Sequence, residues 1–206
     1  EQARALWEEL NRPALRALEA SERALEANRE LSEKVEAALR DGLQVMTHVI
    51  GDRALRSTLD WYAEARDALP PAAWATQDLR WRLEHAQIIP PVDQQRLVAM
   101  QVIASMQPSH AIGDLHFAPA RIGLQRLEGA YAWRSLIESG TLIAGGSDAP
   151  VERGEARIEF YAAAVRRDLN GFAGEGWNLD EALDRETALK LFTIWPAYAT
   201  FREDEL

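Results

Sequence analysis

The first 42 residues have a helical pattern of apolar and polar positions and no strand-like run. They are rich in Ala, Leu, Glu and Arg, which are strong helix formers, so we predict two or three consecutive helices. Asn11 can cap one helix, and a second break is predicted between Asn28 and Ser32. Ser32 can cap a last helix, which Gly42 ends.

From Leu43 onward, short apolar runs alternate with helical stripes. Strands are predicted over 43–49, 79–86, 102–106 and 141–144. Helices are predicted from Gly51, from Pro90, over 131–139, over 160–168 and over 186–192. Long loops are predicted around Pro108, Gly113 and Pro119, and over 171–176.

Strands that alternate with helices indicate an α/β fold with a parallel sheet. An open doubly wound sheet and an eight-stranded barrel both fit this pattern. A complete (β/α)8 barrel takes about 250 residues, so these four units would form about half of one. We therefore predict a helical segment over 1–42 and an α/β unit over 43–206.

The composition of the chain excludes several kinds of site and partner. The chain has no cysteine, which excludes thiolate metal sites, a cysteine nucleophile and disulfides. Its net charge of −10 argues against a nucleic-acid partner, and no apolar run predicts a membrane span. The first residues lack signal-peptide character, so we expect a cytoplasmic protein. A start within a helical pattern and an abrupt end at Leu206 suggest a fragment of a longer chain.

Polar side chains recur where the predicted strands end: His48, His85, Gln107 and Asp148. Because the carboxyl ends of parallel strands form one rim, the two histidines and Asp148 are a candidate metal set, and imidazole and carboxylate suit zinc. Each has a structural alternative. A histidine at a strand end can be a hydrogen-bonded structural residue, and the Asp148 side chain can cap a turn. Glu84 is expected to pair with Arg82 on the same strand face.

Several segments resemble one known family in the order in which they occur. They are THVIGDRA (47–54), RLEHAQ (82–87), IASMQPSH (103–110), YAWRSL (131–136), GSDAPV (146–151) and TIWPAYA (193–199). These segments are similar to the amidohydrolase superfamily, and specifically to the family 3 branch that includes N-substituted formamide deformylases.

The resemblance implies strands five to eight of a (β/α)8 barrel and hydrolysis of a C–N bond in an amide, N-formyl or cyclic amide substrate. It implies that His48, His85 and Asp148 bind a divalent metal, zinc being expected, and that Asp148 is also the base that deprotonates the metal-activated water. His110 would polarise the substrate carbonyl or contact the leaving group. Gln107 and Arg53 are further substrate-binding candidates, although Arg53 could instead anchor Asp52.

The chain also departs from the family pattern. The His-x-His pair of strand one is absent, and Lys34 and Lys190 lie in predicted helices, so no lysine takes the place of the strand-four ligand. A non-catalytic half-barrel is therefore the alternative; its open strand edges would make it dimerise, bind a partner, or be covered by residues 1–42. A module that only binds a small ligand is a third class.

Overall fold

The computed structural model describes residue 23 and residues 26–74, 77–174 and 177–205. The predicted helix capped by Asn11 lies outside the described residues. The strands are β1 (Met46–Val49), β2 (Arg82–His85), β3 (Ile103–Met106) and β4 (Ile143–Gly145). The helices are α1 (26–40), α2 (Asp52–Ala68), α3 (Pro91–Met100), α4 (Pro108–Asp114), α5 (Ala118–Ile122), α6 (Trp133–Ser139), α7 (Ala156–Val165), α8 (Arg185–Leu191) and α9 (Ile194–Ala199), with 3-10 turns at Pro71–Ala73, Leu124–Gly129 and Leu179–Glu181.

The four strands form one parallel sheet in the order β1-β2-β3-β4. This arrangement confirms the predicted α/β class, because parallel neighbours need the helical crossovers that the sequence pattern indicates. The register places His48 opposite Glu84 and Val49 opposite His85. That the four strands are the second half of an eight-stranded barrel stays a prediction.

The main core lies between the sheet and the helices that cover one of its faces. Alternate strand residues are buried there, as the two-residue repeat of a strand requires; they are Val49, Leu83, Ala104, Met106 and Ile143. On the other face, Ile103 and Ala144 pack against Ala199 of α9 in a smaller cluster. That face also carries the predicted ion pair, with Arg82 Nε 2.8 Å from Glu84 Oε1.

Gly145 allows α8 to lie close to the sheet. A β-carbon at this position would come within 2.7 Å of Leu191 and Phe192. Such an approach is shorter than any van der Waals contact, so only glycine fits here without displacing α8.

Two sequence predictions are wrong within the described residues. Residues 26–40 form one continuous helix, without the break predicted between Asn28 and Ser32. The Ser32 hydroxyl donates to Glu64 of α2 at 2.9 Å instead of capping a helix, so it does not compete with the α1 backbone. The predicted loop after β3 contains α4 and α5, because Pro108 and Pro119 lie in first helical turns, where proline is tolerated.

None of the helices in the described ranges is long and apolar enough to span a membrane.

Arg166, at the end of α7, joins the segment of Ala130 and Tyr131 to the segment around Trp177. Its side chain is fully buried, and its guanidinium donates to the carbonyl oxygens of Trp177 (2.8 Å), Tyr131 (2.7 Å) and Ala130 (2.7 Å). The guanidinium carbon lies 4.6 Å from the centre of the Trp133 ring, a favourable cation–π contact. Burial lowers the pKa of Arg166 to about 10, so the side chain stays charged at neutral pH.

We expect Arg166→Ala to destabilise the protein by at least about 3 kcal/mol, because it leaves three buried carbonyl groups without donors and opens a cavity. Urea unfolding followed by circular dichroism measures this loss. Arg157→Ala is the matched control, since the Arg157 side chain is 86% exposed and should change stability by less than about 0.5 kcal/mol. Equal unfolding midpoints for the two variants would contradict the role assigned to Arg166.

Candidate metal centre

The polar residues predicted at the strand ends come together at the carboxyl edge of the sheet. The ring centres of His48, at the end of β1, and His85, at the end of β2, lie 4.2 Å apart. The His85 ring is in turn stacked on that of His110, with 5.6 Å between centres. The three histidines therefore form a continuous row along the sheet edge.

Asp148 completes a compact group with two of these histidines. The ligand atoms of His85, His110 and Asp148 all lie within 4.8 Å of one another. His110 Nε2 is 3.6 Å from Asp148 Oδ2 and 3.9 Å from Glu152 Oε1. His48 contacts the group through the His85 ring and is itself exposed.

The backbone bends sharply where it presents these side chains. His85, Ala86 and Asp148 have φ angles of 72°, 47° and 58°, in the left-handed region that non-glycine residues rarely adopt. Each such residue costs about 1–3 kcal/mol and occurs mostly at functional sites. The backbone conformations that orient His85 and Asp148 therefore lower the free energy of unfolding.

Two buried nitrogen atoms of the group have no hydrogen-bond partner among the described residues: Nδ1 of His85 and Nε2 of His110. Buried polar atoms are almost always hydrogen-bonded. These two nitrogens are therefore suited to donating a lone pair to a metal ion. Two imidazoles and a carboxylate match the donor set of a catalytic zinc site, which uses three protein ligands. The residues present therefore fit a divalent metal ion.

The other predicted substrate-binding residues have different surroundings. Gln107 is buried after β3, and its Oε1 has no described hydrogen-bond partner. Arg53 is exposed, and the Asp52 carboxylate accepts from the Arg53 amide at 3.0 Å and pairs with Arg126 at 2.6 Å. His116 lies apart from the group and contacts Asp168 at 3.1 Å.

Sequence reasoning missed two carboxylates near His110. Glu152 follows Asp148 by four residues and faces the same imidazole. Glu159 is 2% exposed on α7 and accepts a hydrogen bond from the Ser109 amide at 2.9 Å. A glutamate between Ile158 and Phe160 in a largely apolar helix was a detectable signal, because an unpaired charge is rare in a core-facing stripe.

Burial sets the electrostatics of the centre. It lowers the pKa of His85 below the usual value of 6.5, and the neighbouring imidazoles of His48 and His110 act in the same direction, against the carboxylate of Asp148. Burial also raises the pKa of the Glu159 carboxyl, with the Ser109 hydrogen bonds opposing it. His85 is consequently neutral at pH 7, the state in which imidazole binds a metal.

The chain is similar in sequence to several known proteins. The model of the Amidohydrolase family matches residues 7–206. YtcJ of Bacillus subtilis is 31% identical over 173 residues, which are 84% of this chain and 31% of YtcJ. The protein LONG AFTER FAR-RED 3 of Arabidopsis thaliana is 37% identical over 177 residues, 85% of this chain and 29% of that protein. The N-substituted formamide deformylase of Arthrobacter pascens is 27% identical over 165 residues, 80% of this chain and 29% of the deformylase.

Two crystal structures have the same arrangement of elements. They are uncharacterized metal-dependent hydrolases from Pyrococcus furiosus (TM-score 0.70, 28% identity, 86% of this chain and 33% of the other) and Pyrococcus horikoshii (TM-score 0.71, 27% identity, 86% and 34%). The chain therefore spans about a third of the length of the proteins it matches.

We predict that the metal-free protein loses stability as the pH falls through 6.5, since unfolded His85 takes up a proton at its usual pKa of 6.5 and the folded residue resists protonation. The stabilisation that comes from burying neutral His85 is complete above pH 6.5 and decreases as the pH falls below it. Urea unfolding from pH 7.5 to pH 5.5 with a chelator present should give a shallower pH dependence for His85→Gln than for the unmodified chain. Identical slopes would show that the burial of His85 is not linked to stability.

Proposed function

This chain belongs to the amidohydrolase family, and on that premise we propose that it carries the metal centre of a hydrolase that cleaves a C–N bond in an amide, N-formyl or cyclic amide substrate. The observation that carries the proposal is the compact group of His85, His110 and Asp148 at the carboxyl edge of a parallel sheet. Active sites of α/β folds are built at this edge. The choice of bond draws on the similarity to the N-substituted formamide deformylase.

We further propose that β1 to β4 are strands five to eight of a (β/α)8 barrel. All four strands are parallel and adjacent in chain order, as successive barrel strands are. The chain also corresponds to about a third of each similar hydrolase structure, so a longer assembly is expected around it. The carboxyl edge would then be the rim that holds the active site.

In this proposal His48, His85 and Asp148 hold the metal, and zinc is our first candidate because it suits imidazole and carboxylate donors. When bound, a divalent ion acts as a Lewis acid on the substrate carbonyl and lowers the pKa of water. His85 is positioned by its burial and by its left-handed backbone. His48 joins from the neighbouring strand, where its ring contacts that of His85.

Asp148 is proposed as the base. Its side chain is 36% exposed, so its carboxylate can accept a proton from an attacking water. His110, 3.6 Å away, can receive this proton and donate it to the leaving nitrogen as the C–N bond breaks. The water oxygen ends on the carbonyl carbon, so the products are a carboxylic acid and an amine.

Substrate contacts are proposed for three residues around this centre. Gln107 is buried beside His85, and its amide oxygen can accept a hydrogen bond from a substrate N–H group. His110 can contact the carbonyl or the leaving group. The exposed guanidinium of Arg53 can bind a carboxylate on the substrate.

Metal analysis of purified variants tests the ligand set. We expect His48→Ala, His85→Ala and Asp148→Ala each to weaken zinc binding by at least about a hundredfold, since even outer partners of ligands are worth 10–100-fold. His110→Ala should keep the metal and lose hydrolysis. His116→Ala, outside the group, is the matched control for removing an imidazole.

Unchanged zinc binding in all three ligand variants would refute the site. Loss of zinc in His110→Ala together with retention in His48→Ala would instead assign the third ligand to His110, as the compact geometry allows.

A second candidate function is assembly through the β1 edge. Within the described residues β1 pairs only with β2, and a groove of about 600 Å³ runs beside it between α1 and α2. Leu43 and Met46 on this groove are 58% and 56% exposed, and an unpaired apolar strand edge is prone to pair with another chain. In this reading the chain forms a dimer whose metal-binding residues need not be catalytic.

Light scattering after gel filtration tests this second candidate. A dimer that Met46→Lys converts to a monomer would support assembly through β1, because a charge on the edge opposes pairing. Val92→Lys, at an apolar position on α3 that is 79% exposed, is the matched control. A chain that is monomeric at all concentrations would rule out self-assembly.

A further inference from the structure

The orientation of His110 depends on a helix too short to be stable by itself. His110 is the third residue of α4, which has seven residues. Isolated helices shorter than about 12 residues are marginal in water, and their first amide groups lack partners within the helix. Contacts from other elements must therefore fix α4 and the direction of its imidazole.

At the start of α4 the partner is Glu159 of α7. Its carboxylate Oε2 accepts a hydrogen bond from the Ser109 amide at 2.9 Å, one residue before His110. Glu159 is 2% exposed, and no lysine or arginine of the described ranges contacts its carboxylate. A buried carboxylate without a cation is costly, so its contact with Ser109 has to explain its presence in the core.

At the end of α4, two buried side chains hold Asp114 by hydrogen bonds. The Tyr131 hydroxyl donates to Asp114 Oδ2 at 2.6 Å, and Gln87 Nε2 donates to the same oxygen at 3.1 Å. Both ends of α4 are thus held by polar contacts from other elements. His110 lies between them, with its Nε2 buried and 3.6 Å from Asp148.

We propose that Glu159 is a positioning residue, which fixes the first turn of α4 through the Ser109 amide and so aims His110 at Asp148. The proposal deepens the proposed function and rests on it for the role of His110. Glu159 acts on His110 indirectly, through the Ser109 amide.

Nuclear magnetic resonance of the whole 206-residue chain tests this role without any assay of activity. Glu159→Met keeps the volume of the side chain and removes the acceptor, whereas Glu159→Gln keeps an acceptor. The readouts are the exchange rate of the Ser109 amide and the ring signals of His110, identified by their absence in His110→Gln. The ring signals of His116, which contacts Asp168, are the internal reference.

We expect Glu159→Met to speed Ser109 exchange by about tenfold or more, the effect of losing a hydrogen bond to a charged group. It should also move the His110 ring signals and leave those of His116 unchanged. Glu159→Gln should restore both readouts toward those of the unmodified chain. Removal of the buried charge opposes the cost of leaving the Ser109 amide without an acceptor, so urea unfolding should show that Glu159→Met remains folded.

Glu186→Met removes a carboxylate that is 79% exposed on α8 and is the matched control, expected to leave His110 unchanged. Unaltered His110 signals and Ser109 exchange in Glu159→Met would overturn the proposal. A general loss of stability that also moves the His116 signals would overturn it too, because Glu159 would then be a structural residue only. These outcomes are independent of whether the chain binds zinc, so they separate this proposal from the proposed function.

Discussion

The parallel register of the sheet is the constraint on which the candidate site depends. His48 and His85 are 37 positions apart in the chain, and Asp148 is 63 positions further on, yet all three are close because their strands end at one edge. Opposite strand directions would send these side chains to different ends of the sheet. The chemistry of the centre is therefore a consequence of the helical crossovers that make the strands parallel.

The sheet brings the donors together, but buried polar groups in the loops hold them in position. Arg166 ties Tyr131 to the segment around Trp177, and the Tyr131 hydroxyl holds Asp114 at the end of α4. Glu181 accepts the Ser135 amide at 2.9 Å and so fixes the start of α6. In each case one end of a short segment is held by a buried charge, because the segments are too short for helix propensity to fix them.

The sequence predicted the sheet and its polar edge because these depend on local patterns. The sequence shows short apolar runs that end in His48 and His85. The Arg82–Glu84 ion pair could also be predicted, because residues two apart lie on the same face of a strand. The contacts of Glu159 with Ser109 and of Arg126 with Asp52 could not be predicted, because they join residues 50 and 74 positions apart. The continuous helix over 26–40 was missed for a related reason: the Ser32 side chain bonds to Glu64 of another helix, and capping propensity takes no account of such a contact.

The four donors of the centre are not equally shielded from water. His85 is 8% exposed and the His110 side chain 12%, whereas Asp148 and His48 are exposed. Catalytic centres exclude bulk water, since a low local dielectric strengthens every charge interaction within them. In the proposed function, the described residues form one wall of such a centre, on the side of α4 and α7. His48 belongs to β1, whose outer edge is unpaired within the described ranges, so a facing wall is expected on the β1 side of the sheet.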